Sequence, residues 1–181
     1  MLMNGIPSFR LEKDVINAEI DVLREMGVEF KCGVEVGEDI TIAQLREQGY
    51  KAFYIAIGAQ GGRMTGVPGE DAVGVETGVD FLRRVNLNEE GVKLSGKTVV
   101  IGGGNVAVDV ARTALRTGSS DVSMFCLESR DIMPAADDEV AEAEEEGIVV
   151  NNSWGPKEIL TENGKVTAVV FKKCISVLDE N

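Results

Sequence analysis

The sequence predicts an α/β fold, a parallel sheet flanked by helices with a β-hairpin beside it. Three observations carry this. Thr98-Val99-Val100-Ile101 is a strand-like run that breaks into Gly102-Gly103-Gly104 and then into a helical pattern from Asn105 to Arg112. Further apolar runs alternate with helical stretches, the signature of strands joined by helical crossovers. Asn163-Gly164 stands between two apolar runs, a strong short-range hairpin signal.

Taken in order, Met1 to Pro7 shows neither a capping signal nor a strand pattern, so the start reads as cut. From Lys13 a helical rhythm sets Ile16, Ile20 and Leu23 on one face, with Gly27 as its stop. Val28 to Cys32 alternates and predicts a strand. Asp39-Ile40-Thr41 opens a short helix through Arg46, closed by Gly49. Ala52 to Ile57 is a short apolar run predicting a buried parallel strand that stops at Gly58-Ala59. Residues 60–70 are rich in glycine and polar groups and mark a crossover, dividing the chain into 1–66 and 67–181. A helix over Gly78 to Val85 and a loop around Asn88 to Ser95 follow. Lys97 to Ile101 is then a strand, Asn105 to about Thr117 a helix stopped by Gly118, and Asp121 to Leu127 a second strand. An acidic helix spans Asp137 to Glu146, Ile148 to Val150 is a third strand, and Glu158 to Leu160 pairs with Val166 to Lys173.

The bulk properties exclude several function classes. The chain has 181 residues, 44% of them hydrophobic, enough for one domain or one domain with part of another. No apolar run approaches the roughly 20 residues that span a bilayer, and no signal-peptide pattern opens the chain. A formal net charge of −13 disfavours nucleic acid and anionic membranes as partners. Three cysteines without a C-x-x-C spacing argue for a reducing, cytoplasmic compartment and against a metal site in this segment. There is no histidine, so proton-shuttling hydrolase chemistry is disfavoured.

The bend from Gly102 to Ala107 is G-x-G-x-x-A between a strand and a helix. Gly102 lets the chain turn sharply off the strand, Gly104 leaves no Cβ where a pyrophosphate approaches, and Ala107 lets the helix lie close to the sheet. Ala111 and Ala114 continue the small stripe. Gly102, Gly103, Gly104, Asn105, Val106 and Ala107 therefore form the candidate cradle for a nicotinamide dinucleotide, with backbone N–H groups and a helix N-terminus facing the diphosphate. Asn105 is either the N-cap or a phosphate-side donor. The alternative is a tight turn that needs glycines for geometry alone.

The second strand ends in Phe125-Cys126-Leu127-Glu128-Ser129-Arg130. A carboxylate past this strand accepts hydrogen bonds from the adenosine ribose and repels a 2′-phosphate, which favours NADH. Glu128 stands at that place, about 25 residues after the glycines rather than the usual ~20. Arg130 complicates this, since it reaches a 2′-phosphate or stacks on adenine if it is not simply a surface charge. Glu128 has the rival reading of a solvated strand-end charge. Asp109 and Arg112 suit an intrahelical pair, and the acidic helix suits a solvated face. Trp154 suits core or hairpin packing, and Cys126 a buried small hydrophobe.

Several stretches occur in an order that is specific in combination. They are Gly5-Ile6-Pro7-Ser8-Phe9-Arg10-Leu11, Ala56-Ile57-Gly58-Ala59, Val67-Pro68-Gly69-Glu70-Asp71, the glycine bend, and Glu128-Ser129-Arg130-Asp131-Ile132-Met133-Pro134-Ala135. Together the chain resembles the glutamate synthase small (beta) subunit and its relatives, NAD(P)H-dependent FAD oxidoreductases. The resemblance implies a Rossmann-like NAD(P)H-binding domain over 67–181, inserted into an FAD-binding domain of which 1–66 is a remnant. It implies that Gly58 lies near the flavin, that hydride passes from nicotinamide to FAD, and that electrons leave through iron–sulfur centres to a partner or catalytic large subunit. It also marks this chain as a middle portion lacking a complete FAD site, so no flavin and no turnover are expected of it alone. Where the family commonly carries paired arginines for the 2′-phosphate of NADPH, this chain has Leu127 and Glu128, which again favours NADH. Two readings outside the resemblance are a stand-alone NAD-dependent dehydrogenase and a non-catalytic nucleotide-sensing module.

Overall fold

The computed structural model describes residues 1–88 and 91–177. Part of the loop expected around Asn88 to Ser95 lies outside the described residues. The chain forms two compact units, one of Leu11–Gln60 and one of Met1–Arg10 with the chain from Gly61 onward.

The smaller unit holds α1 (Lys13–Glu25) and α2 (Ile42–Glu47). In α1 Ile16 is buried, while Val22, Leu23 and Met26 remain exposed. Thr41 caps α2 through a reciprocal box, its hydroxyl accepting from the Gln44 N–H at 3.2 Å and its own N–H donating to Gln44 Oε1 at 2.8 Å. Two sequence expectations fail here. Neither Val28–Cys32 nor Ala52–Ile57 is a strand, and Tyr54, Ile55 and Ile57 are 95%, 80% and 79% exposed. A strand exists only through a ladder with a neighbour, and no described segment supplies one to either run.

The larger unit contains α3 (Gly78–Leu87), β1 (Lys97–Ile101), α4 (Asn105–Arg116), β2 (Asp121–Phe125), α5 (Asp137–Glu145) and β3 (Val149–Asn151). A two-stranded ribbon follows, β4 (Trp154–Glu162) and β5 (Lys165–Lys173). The sheet order is β1-β2-β3, all parallel, with Val100 opposite Met124 and Met124 opposite Val150. This is the α/β class the sequence predicts. The core lies between the sheet and its helices, where Val108, Ala111, Val122, Met124, Val140 and Ala143 are essentially sealed from solvent. Ala111 and Ala114 form the expected small stripe that lets α4 lie close on the strands. β2 stops two residues earlier than expected, because the Cys126 N–H turns to the Asn151 carbonyl and its C=O takes the Trp154 N–H.

The ribbon turns through Asn163 and Gly164, both at positive φ (51° and 76°), the geometry Asn-Gly favours. The Phe171 ring stacks on Phe125, centroids 3.9 Å apart, which docks the ribbon against the end of β2. Trp154 opens β4 and is partly exposed, so it belongs to the hairpin and not the core.

Candidate functional site

The glycine bend joins β1 to α4. Gly102 has φ +146°, which an L side chain rarely adopts, and its N–H donates to the Phe125 carbonyl at 2.9 Å. Gly104 is the N-cap of α4, and its carbonyl accepts from Ala107 and Val108 at 2.9 and 3.3 Å. This corrects the N-cap alternative for Asn105, which is the first residue inside the helix. Among the described residues no protein acceptor takes the N–H groups of Gly104, Asn105 or Val106. They are the unsatisfied donors of a helix N-terminus, where the macrodipole also favours negative charge. A Cβ built on Gly104 would meet nothing within 4 Å, and Asn105 and Val106 are exposed.

The connection from β2 to α5 forms the rim of this opening. Two consecutive amides pin it to the bend: Ala135 N–H donates to the Gly103 carbonyl at 3.0 Å, and Ala136 N–H to Asn105 Oδ1 at 2.9 Å. Glu128 sits on this rim beside the buried Gly103, where an added Cβ would come within 2.8 Å of Glu128 Oε2. The Glu128 backbone is fixed by its carbonyl, which accepts from the Ser153 N–H at 2.9 Å and from Asn152 Nδ2 at 3.3 Å. Asn152 is absent from the sequence reading, since nothing local marks a residue at the end of a short third strand as a brace for the second.

Ser129 turns its hydroxyl to Asp131, which holds that exposed carboxyl below its ordinary range. Arg130 pairs with Glu144 across 3.3 Å, both exposed, a contact of little energetic weight. Cys126 is buried as expected; burial first, and the Glu128 charge second, push its thiol up, so it is a poor nucleophile. Gly58, at φ +69°, lies in the smaller unit. Asp109 and Arg112 do not pair with one another: Asp109 bonds Arg10, and Arg112 bonds Glu142 and Glu146. The acidic helix is accordingly more than a solvated face, with Glu139, Glu142 and Glu144 in ion pairs and Glu146 just beyond its end.

From the bend a groove of about 800 Å³ runs along the free edge of β1, lined by Gly104, Val106 and Ala107 at one end and by Phe81, Val99 and Val169 further along. Chemically the bend offers oriented donors for an anion, the rim offers a carboxylate for hydroxyl groups, and the groove offers apolar walls.

Over 169 residues the chain is 41% identical to the NADP(+)-dependent formate dehydrogenase subunit beta of Moorella thermoacetica, covering 92% of this chain and 24% of that one. Over 191 residues it is 37% identical to the glutamate synthase (NADPH) small chain of Halomonas elongata, covering all of this chain and 40% of that one. The chain thus spans less than half the length of these curated relatives. Among solved structures, Mycobacterium tuberculosis FprA in complex with NADPH superposes with a TM-score of 0.74 at 21% identity, over 95% of this chain and 54% of that one, a likeness of fold. The family model for the pyridine nucleotide-disulphide oxidoreductases matches residues 37–177, which is most of the sequence, and the chain belongs to that family.

Proposed function

We propose that the larger unit binds a nicotinamide dinucleotide, with the diphosphate on the Gly104, Asn105 and Val106 amides and the adenosine ribose at Glu128. The observation that carries this is the set of three N–H groups at the start of α4 with no acceptor among the described residues, at a glycine whose Cβ position is open. The resident side chains fit the group. Glu128 takes the 2′- and 3′-hydroxyls of a ribose and repels a 2′-phosphate, which favours NADH over NADPH even though the two curated relatives carry NADP in their names. Arg130 turns to Glu144 in an exposed pair, and Ser129 is engaged by Asp131, so neither is preset for a 2′-phosphate.

In the whole enzyme the bound dinucleotide would supply hydride chemistry to an FAD held by the remainder of the polypeptide, with iron–sulfur centres of a partner or large subunit as the onward acceptor. What these residues contribute is orientation: the bend fixes the diphosphate and the rim fixes the ribose, with no side chain acting as acid, base or nucleophile. Residues 1–66 belong, on this proposal, to the flavin-binding part, Gly58 to its flavin side, and the protein is cytoplasmic.

Calorimetric titration with NADH and NADPH tests the reading. NADH is expected to bind in the micromolar range or weaker, about tenfold tighter than NADPH, a difference of ~1.4 kcal/mol. Glu128→Arg should narrow or invert that ratio. Equal or tighter NADPH binding by the unaltered chain, or a ratio that Glu128→Arg leaves untouched, removes Glu128 from the ribose.

A further inference from the structure

The segment before the smaller unit is a strap across the helices that frame the bend. Pro7 is buried, and Asn86 Nδ2 on α3 donates to the Asn4 carbonyl at 3.0 Å. The Phe9 ring lies under two guanidinium groups of α4, Arg112 at 4.8 Å and Arg116 at 4.2 Å from its centroid. Arg10 bridges Asp109 on α4 and Glu139 on α5, its Nη1 2.5 Å from Glu139 Oε1, with all three side chains largely withdrawn from solvent.

These contacts belong to one column. Asn105, Asp109, Arg112 and Arg116 recur at helical spacing along the α4 face that looks at α5. Asn105 takes the Ala136 N–H, Asp109 and Glu139 meet at Arg10, and Arg112 and Arg116 share Glu146, with Glu142 also on Arg112. The top rung is the bond that sets the rim against the bend. The second rung, one turn below, is Arg10. It comes from the strap, as does the Phe9 ring under Arg112 and Arg116.

We infer that Arg10 is a positioning residue for the nucleotide site, clamping the first turn of α4 to the start of α5 and cancelling carboxylate charge beneath the diphosphate. The inference rests on the nucleotide reading above. Asp109 stands one turn from Asn105, roughly 6 Å along the axis. The charged groups around it are Arg10 on the strap, Arg112 on α4 and Glu139 on α5. Removing the Arg10 charge leaves two poorly solvated carboxylates facing one another below an anion site.

The test compares the full chain with Arg10→Met, Arg10→Lys and the charge-neutral triple variant Arg10→Met, Asp109→Asn, Glu139→Gln. In calorimetry at pH 8, R10M should bind NADH about tenfold more weakly, by the added negative charge. R10K and the triple variant should stay within about threefold of the unaltered chain. Lowering the pH toward 6 should restore much of the R10M loss, because the Asp109 carboxyl, raised by burial and no longer opposed by Arg10, takes up a proton, while the unaltered chain changes less. A part that merely holds the fold together would lower stability without producing that pH slope. Without ligand, the amide resonances of Gly104, Asn105 and Val106 should shift in R10M and return in R10K, while those of β4 and β5 stay in place. Wild-type affinity in R10M with unmoved amides overturns the inference, and so does a loss that pH and the triple variant fail to rescue. If the unaltered chain binds no NADH, the nucleotide reading fails, and the amide shifts alone decide the role of Arg10.

Discussion

Gly104→Ala separates the binding role of the bend from its folding role. Gly104 has φ −96° and ψ 171°, a conformation any residue adopts, and an added Cβ meets nothing within 4 Å. The methyl group therefore costs no native contact. Restricting the unfolded chain contributes about 0.4–1 kcal/mol of stability, and replacing glycine by alanine at an N-cap costs about as much. Net stability should stay within about 1 kcal/mol. On the proposed binding mode the same methyl group stands where the diphosphate would pack on the amides, so affinity should fall by about 10- to 100-fold, ~1.4–2.7 kcal/mol. Gly102→Ala is the contrast. Its φ of +146° and a Cβ only 3.2 Å from that of Ala107 make it strained whether or not ligand is present, costing about 1–3 kcal/mol. Urea unfolding and NADH calorimetry on both variants give the answer. Gly104→Ala binding within twofold of the unaltered chain would mean that the diphosphate does not rest on Gly104, and the proposed site would have to be abandoned.

Two further outcomes follow from packing and charge. Met124→Ala opens a cavity at a fully sealed position of the central strand and should cost about 2–5 kcal/mol in urea unfolding; a cost under 1 kcal/mol would mean that β2 is not central to the core. Glu146 is held below its ordinary range, chiefly by Arg116 and then, against some burial, by Arg112. A lowered carboxylate contributes stability above its unfolded value and loses it as pH falls through the folded one. Stability should therefore decline on acidification through and below the ordinary glutamate range. Glu146→Gln should flatten that decline, as read from urea midpoints between about pH 3 and 6. Asp109 works against it: its carboxyl is raised, mainly by burial, so its contribution is present at low pH and lost as pH rises.

What was legible in the sequence is what local chemistry decides. β1 runs over the expected five residues, α4 starts at Asn105, and the Asn163-Gly164 turn falls where the dipeptide places it, because glycine freedom and helical periodicity act within a few residues. Val28–Cys32 and Ala52–Ile57 carry equally good strand patterns and form no strand, since a pattern states only what a segment is able to bury and pairing needs a second segment. The same limit applies to charge. The polar stripe Asn105, Asp109, Arg112, Arg116 is visible as a helix face, but its partners lie elsewhere in the chain, on α5 and at Arg10, 99 residues from Asp109. An intrahelical Asp109–Arg112 pair is the natural guess from spacing alone, and tertiary partners with better geometry displace it.

The charge balance constrains how such a site works. The molecule carries a formal net charge of −13, so its overall field repels a dinucleotide. Arg112 and Arg116 are committed to Glu142 and Glu146, and Arg130 turns to Glu144. Attraction at the bend then falls to backbone groups: three N–H donors, each worth about 1.5–3 kcal/mol to an anion, and a helix terminus adding about 0.3–2 kcal/mol. That sum supports binding only while the donors converge, because a dipole, unlike a mobile lysine, cannot follow a displaced phosphate. The column of ion pairs between α4 and α5 would, on the inference above, matter for binding at the bend. On the proposed reading it would hold the three amides at Gly104, Asn105 and Val106 in register for an anion.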